Sequence, residues 1–175
     1  MLSAIVIAGT AIVLLLGLIL LRSAGGATKG MPKGDVIYRD KTESEEPGPP
    51  LYSARLNLTG RPDFIIRSLD GIIPVECKSG RSPRDGTPRD GHVAQLAAYC
   101  LLVREVMSEP VPYGVVRYAD RSFSIAFTPE REAWVVAILE RMRLRQTEPV
   151  VHRSHAQPWR CRSCGMRERC VEALR

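Results

Sequence analysis

The stretch Gly60-Arg61-Pro62-Asp63, followed downstream by Glu76-Cys77-Lys78, decides the fold that this sequence predicts. Residues 62–68 and 72–78 are both apolar and prone to form β-strands, and Leu69-Asp70-Gly71 between them is typical of a turn. Two such runs joined by a short turn predict a β-hairpin. The hairpin would fold the second quoted stretch back beside the first.

The charged side chains of these two stretches suit one particular chemistry. Because side chains alternate between the two faces of a strand, Glu76 and Lys78 would point to one side and Cys77 to the other. Asp63 and Glu76 would then offer two carboxylates to a hard divalent cation such as magnesium, which prefers oxygen ligands. Hydrolysis of a phosphodiester needs such a cation, and a nearby ammonium would orient the water or stabilise the phosphoryl charge.

A helix is predicted after a loop that is rich in Gly, Pro, Arg and Asp. Residues 92–107 place apolar side chains at helical spacing. Gln95 and Tyr99 are four residues apart and share one helix face, and His92 lies on the same stripe. This stripe is too polar for a plain core position, so it predicts contacts with the site or with its substrate.

In this order, G-x-P-D, E-x-K and Q-x-x-x-Y resemble the motifs of the PD-(D/E)XK nuclease superfamily, in its RecB-like branch. The chain is most similar to the exonucleases associated with CRISPR spacer acquisition, and the resemblance covers residues 51–170. It implies an α/β fold with a restriction-endonuclease-like core, in which helices flank a mixed sheet. It also implies a Mg²⁺- or Mn²⁺-dependent deoxyribonuclease, with single-stranded DNA ends as the expected substrate.

The resemblance implies a role for residues of all three motifs. The metal ligands would be two carboxylates and one backbone carbonyl, those of Asp63, Glu76 and Cys77. The catalytic group would be Lys78, and its assistants would be Gln95 and Tyr99. Relatives often carry a histidine or an acid upstream of G-x-P-D, and nothing upstream matches it here. An alternative hypothesis therefore stays open, in which the domain has lost catalysis and serves as a DNA-binding or assembly module at the membrane.

Three cysteines crowd the C-terminal end in the pattern C-x2-C-x5-C, at Cys161, Cys164 and Cys170. In the relatives this pattern holds a four-iron cluster, whose fourth cysteine lies upstream of the nuclease motifs. Here no cysteine precedes Cys77. His155 would complete a three-cysteine, one-histidine set, which suits a closed zinc site. A 4Fe-4S cluster and a Zn²⁺ ion are thus both open.

The N-terminus predicts a membrane segment. Residues 2–21 contain no charged side chain, and about 20 helical residues span a hydrocarbon core of about 30 Å. Positive charge lies only on the C-terminal side of this run, at Arg22, Lys29, Lys33, Arg39 and Lys41. The positive-inside rule therefore predicts a single-pass membrane protein whose nuclease domain lies in the cytoplasm.

Four parts follow from these patterns: a transmembrane helix at 1–22, a flexible tether at 23–50, a nuclease domain at 51–150 and a cysteine-rich metal-binding module at 151–175. The tether is predicted because Gly, Pro and charged residues offer too little apolar surface to offset the entropy of ordering.

Two more elements are predicted within the nuclease domain. Residues 113–118 and 122–127 are β-prone runs separated by a turn, which predicts a second hairpin. Thr128 as N-cap and Pro129 in the first turn predict the start of a helix that runs to Gln146.

Charge indicates the partners. The chain carries 25 Lys and Arg against 19 Asp and Glu, a net charge of +6. From residue 131 to the end there are ten arginines and five glutamates, with no lysine or aspartate. Because the planar guanidinium matches phosphate oxygens, this segment predicts a DNA-binding flank. The predicted partners are DNA, the membrane and, by resemblance, DNA-processing proteins.

Overall fold

Seven strands and three α-helices organise the part of the chain that the structure describes. This structure is a computed structural model, and it describes residues 30–40, 48–150 and 152–175. The strands are β1 (Asp35–Arg39), β2 (Leu51–Ser53), β3 (Leu58–Gly60), β4 (Phe64–Ser68), β5 (Gly71–Cys77), β6 (Tyr113–Arg117) and β7 (Ser122–Ala126). The helices are α1 (Asp90–Met107), α2 (Pro129–Gln146) and α3 (Pro158–Arg162), with a 3-10 turn at Arg167–Arg169.

Five of the strands form one mixed sheet in the order β1-β4-β5-β6-β7. Its neighbours pair antiparallel except β5 and β6, which are parallel and are joined through α1. A parallel pair needs such a crossover, because a short turn can only return the chain antiparallel. Strands β2 and β3 form a separate two-stranded sheet. The predicted α/β class with a mixed sheet and helices is confirmed.

Both faces of the sheet carry buried residues, because alternate side chains of the central strands point in opposite directions. One face packs Ile65, Ile72 and Val116 against Leu96 and Cys100 of α1. The opposite face has its own apolar cluster, made by Ile66, Ile73, Val75 and Val115. Gly114 permits the close approach of α1, since a Cβ there would lie 2.7 Å from Leu96 Cδ1.

Both hairpins form where the turn residues predict them. In the first, β4 and β5 pair from Phe64 with Val75 to Ser68 with Gly71. Gly71 has φ +128°, a conformation that disfavours other residues. In the second, β6 pairs with β7 across a turn at 118–121. The first hairpin therefore places Asp63, which precedes β4, beside Cys77 at the end of β5.

The predicted tether at 23–50 is wrong for part of its length, because Asp35–Arg39 forms edge strand β1 of the main sheet. The strand was hidden by its composition. Val36 and Ile37 keep 46% and 37% of their surface exposed, so β1 lacks the alternation of a half-buried strand, and Gly and Pro surround it. The folded domain therefore includes residues upstream of its predicted start at Leu51.

The described residues divide into two compact units, with the boundary between Val135 and Val136. This boundary falls inside α2 rather than at the predicted junction of residues 150 and 151. No helix among residues 30–40, 48–150 and 152–175 is long and apolar enough to cross a membrane. The transmembrane helix predicted at residues 1–22 lies outside the described residues.

Candidate active site

The first hairpin brings Asp63 to the end of β5. The Cys77 amide donates a hydrogen bond to Asp63 Oδ2 at 2.6 Å. On the other side, the Asp40 amide at the end of β1 donates to the Asp63 carbonyl at 3.1 Å. Asp63 is therefore fixed by the strands on both sides of it, although it lies just before β4.

Lys78 joins β5 to α1. Its Nζ donates to Glu76 Oε1 at 2.7 Å and to Gln95 Oε1 at 2.8 Å. The shared face of Glu76 and Lys78 predicted from strand alternation is present. Only 8% of the Glu76 side chain and 21% of the Lys78 side chain are exposed, so this ion pair is largely withdrawn from water.

Gln95 completes a continuous network. Its Nε2 donates to Glu76 Oε1 at 2.9 Å and to the Tyr99 hydroxyl at 3.1 Å. The structure thus brings four predicted residues into one set of hydrogen bonds and places Asp63 against the neighbouring peptide of Cys77.

Position 60, in the first motif, has no room for a side chain, which explains its glycine. A Cβ at this position would lie 2.7 Å from Tyr99 Cε1, closer than side-chain carbons approach. The end of β3 therefore packs directly on the Tyr99 ring. Burial of that ring is the main cause that raises the pKa of Tyr99, so its hydroxyl stays protonated and available for hydrogen bonding.

Burial and neighbouring charges both act on the pKa of Glu76. Burial raises the pKa of Glu76, the hydrogen bond from Lys78 opposes this, and the negative charge of Asp63 raises the pKa further. Lys78 therefore only partly compensates two neighbouring carboxylates. Asp63 Oδ1 and Glu76 Oε2 take no part in the bonds described above, and carboxylate oxygens are the donors that Mg²⁺ and Mn²⁺ prefer. These residues fit a divalent cation.

His92 lies on the predicted helix stripe but contacts a different partner. Its Nδ1 is 2.7 Å from the Tyr118 hydroxyl, which also accepts a hydrogen bond from the Arg89 amide at 3.2 Å. Burial first, and then the positive charges of Lys78 and Arg89, lower the pKa of His92. Tyr118 was not predicted for this region, because its side chain reaches α1 only through the parallel join of β5 and β6.

Asp40 is a second residue that the sequence did not single out. Its Oδ1 is buried without a hydrogen-bond partner among the described residues, and the nearest cation is Arg61, at 3.9 Å from its guanidinium nitrogen. Its negative charge is one of the smaller influences that raise the pKa of Tyr99, after burial. Asp40 follows β1, so only the missed strand would have placed it here.

The predicted C-terminal ligands do not converge. Cys161 is buried and its Sγ accepts a hydrogen bond from the Leu174 amide at 3.4 Å, whereas Cys164 is exposed and Cys170 half-buried. His155 Nδ1 accepts from the Gln157 amide. In the described part of the chain, no three His, Cys, Asp or Glu side chains are grouped to hold a metal ion.

The mixed sheet with its helices fits the core of a PD-(D/E)XK nuclease domain. Residues 31–171 match the PD-(D/E)XK nuclease superfamily, and the chain belongs to it. The chain is also similar to a solved structure described as "Crystal structure of SSO0001", at 24% identity and a TM-score of 0.48, with 91% of this chain and 71% of that chain covered. No protein of curated function matches the chain.

Proposed function

We propose that this protein is a metal-dependent deoxyribonuclease. The observation that carries the proposal is the position of Lys78, whose ammonium is held by Glu76 of β5 and Gln95 of α1. Asp63, Glu76 and the backbone carbonyl of Cys77 are the proposed ligands of Mg²⁺ or Mn²⁺. When bound, such an ion neutralises phosphate charge and lowers the pKa of bound water.

The side chains have separate parts in this proposal. An ammonium has three N–H donors, and Glu76 and Gln95 accept two of those of Lys78, which leaves one for the attacking water or a phosphate oxygen. Gln95 directs its carbonyl to Lys78 and its amide to Glu76 and Tyr99, so it fixes both charged groups in place. Tyr99 holds the far side of the Gln95 amide. Positioning of this kind costs no reorganisation when charge develops on the phosphate.

The finer assignments rest on the sequence. The order of the motifs supports the RecB-like branch, similarity to the CRISPR-associated exonucleases, and action on single-stranded DNA ends. The uncharged run at 2–21 and the positive charges after it support a single membrane span with the nuclease domain in the cytoplasm. The spacing of Cys161, Cys164 and Cys170 supports a C-terminal iron-sulfur or zinc centre, against the geometry described above.

Cleavage of end-labelled single- and double-stranded DNA tests the proposal. Mg²⁺, Mn²⁺ and EDTA are compared for the wild type, Lys78→Ala and Asp63→Ala, with Lys33→Ala as a control that removes an exposed lysine outside the network. We expect metal-dependent cutting in the wild type and in the control, and none in the other two variants, which still fold. Full activity of Lys78→Ala or Asp63→Ala would reject the assigned site.

A second candidate is a catalytically inactive DNA-binding or assembly module held at the membrane. The observation in its favour is that the described residues offer no third carboxylate or histidine grouped with Asp63 and Glu76. DNA binding without cleavage in any metal, and without dependence on Asp63 or Glu76, would favour this candidate.

A further inference from the structure

A pocket of about 420 Å³ lies between the loop that follows β5 and the turn between β6 and β7. Three arginines line it, Arg81 and Arg84 from the loop and Arg121 from the turn. Asp120 is the one acidic side chain in the lining. The pocket lies in the unit that holds the candidate active site, and its loop begins directly after Lys78.

The loop is held in place by the turn. Asp120 accepts hydrogen bonds from the Ser82 amide at 2.7 Å and from the Ser82 hydroxyl at 3.0 Å, one at each carboxylate oxygen. The Ala119 amide donates to the Gly80 carbonyl at 3.1 Å. The arginines therefore project from a backbone that is fixed on both sides of the pocket.

The acidic groups near the pocket are already engaged. Asp120 uses both oxygens on Ser82 and lies 3.8 Å from Arg81 Nε, and Asp85 accepts a hydrogen bond from the Thr87 amide at 3.0 Å. Within the described residues, Arg84 and Arg121 make no ion pair. The Arg121 guanidinium carbon lies 5.9 Å from the centroid of the Phe123 ring. The pocket thus has an excess of positive charge.

We propose that this arginine pocket binds a backbone phosphate of the DNA strand whose scissile phosphate lies at Lys78; the inference rests on the proposed function. Arginine's planar fork binds phosphate oxygens in pairs. Three residues of chain span at most about 10 Å, so the backbone of Arg81 lies within that distance of Lys78. A phosphate contact here would set the position of the strand without reading its sequence.

Salt-dependent DNA binding tests this inference, measured with the full chain in a Lys78→Ala background so that no cleavage occurs. Arg84→Gln and Arg121→Gln are each compared with Arg67→Gln. Arg67→Gln removes the same charge. Arg67 lies near the end of β4 that is farther along the chain from Asp63, and it pairs with Glu109. For each lost phosphate contact, the slope of log K against log salt falls by about 0.7 on single-stranded DNA and about 0.9 on duplex.

We expect this reduced slope in Arg84→Gln and Arg121→Gln and not in Arg67→Gln, with unchanged thermal unfolding in all three. Slopes equal to that of Arg67→Gln would overturn the inference. A reduced slope confined to RNA of the same length would overturn the assignment to DNA. The outcome is independent of catalysis: a wild type that never cuts DNA, but whose binding depends on these arginines, rejects the nuclease and keeps the phosphate pocket.

Discussion

Glu76 bears the electrostatic cost of the candidate site. Only 6% of the residue's surface is exposed, and its carboxylate lies near Asp63 and receives hydrogen bonds from Lys78 and Gln95. Those bonds oppose burial but do not cancel it, since the net effect still raises the pKa of Glu76. An ionisable group whose charged form is disfavoured by burial is typical of a functional site. At neutral pH, burial therefore disfavours the charged form of the Glu76 carboxyl group in the folded state.

Glu76→Gln should therefore separate activity from stability. Because folding raises the pKa of Glu76 above its ordinary 4.5, the folded state binds this proton more tightly than the unfolded chain does. The protonated carboxyl group of Glu76 therefore stabilises the folded state fully below pH 4.5, and this stabilisation is lost as the pH rises through the raised pKa of Glu76. At pH 7 in EDTA, we expect Glu76→Gln to have a Tm at or above that of the wild type. In Mg²⁺ or Mn²⁺, we expect its cleavage to be lowered at least about 10²-fold.

Calorimetry in EDTA at pH 7 and pH 4 checks the first part of this expectation. The difference in Tm between wild type and variant should shrink at pH 4, where Glu76 itself becomes protonated. A variant that is much less stable at pH 7 would contradict the expected sign.

Gly60→Ala tests the contact between β3 and Tyr99. The new Cβ would lie 2.7 Å from Tyr99 Cε1 and 3.3 Å from Leu102 Cδ2, so the ring must move. Overpacking of this kind costs about 1–3 kcal/mol, and displacement of Tyr99 should also weaken the Gln95 contact and lower cleavage. Gly91→Ala is the matched control, since a Cβ there meets nothing within 4 Å. Equal denaturation midpoints for the two variants would contradict the close packing.

At the scale of elements, one carboxylate holds the Ser82 part of the loop between β5 and α1. Asp120 reaches across from the β6–β7 turn, and the Ser82 amide is the main cause that lowers the pKa of Asp120. The loop thus owes its position to a residue far away in sequence.

Asp120→Ala should release the loop while the sheet stays folded. We expect faster hydrogen exchange at the Ser82 amide, with no change in α1, and Asp85→Ala as the control should leave Ser82 protected because its own bond to Thr87 is local. Since the pKa of Asp120 is lowered below 3.8, its stabilisation is present above that pH and is lost as the pH falls through the lowered value. Unchanged hydrogen exchange at the Ser82 amide in Asp120→Ala would contradict the role of Asp120 in holding the loop.

Regular elements were predictable where turn residues and periodicity coincide. Gly71 marks the first hairpin, and Thr128 with Pro129 marks the start of α2. Strand β1 was not predictable, because an edge strand buries too little to show alternation. The contacts of Asp40 and Tyr118 near the site were missed for a related reason: they depend on how strands far apart in sequence pair, which no local pattern specifies.

At the scale of the whole molecule, the C-terminal unit is where sequence and structure disagree. The spacing of its cysteines predicts a metal centre, whereas the structure ties the segment together through Glu172, which receives hydrogen bonds from the Arg153 amide and pairs with His152. These contacts hold residues 152–153 to Glu172 near the end of the chain.

Metal analysis of protein purified without oxygen decides between these views. If the centre exists, the wild type should contain iron or zinc, and Cys164→Ser should lose it with a lower Tm. Cys100→Ser, at a core position outside the pattern, should keep the metal and serves as the control for metal content. Iron would also give visible absorption and zinc would not. A metal-free wild type that unfolds at the same temperature as Cys164→Ser would remove the C-terminal metal centre from the proposal.

The parallel join of β5 and β6 has a consequence for the order of folding. Its partners Val75 and Val115 lie forty residues apart, whereas each hairpin closes over a few residues. Closing the long loop costs more chain entropy and comes later, so both hairpins should be formed in the transition state before they meet. The Lys78 amide donates to the Arg117 carbonyl across that join. The lysine is therefore fixed only after the two hairpins have met, and chains in which they have not met would carry no competent site.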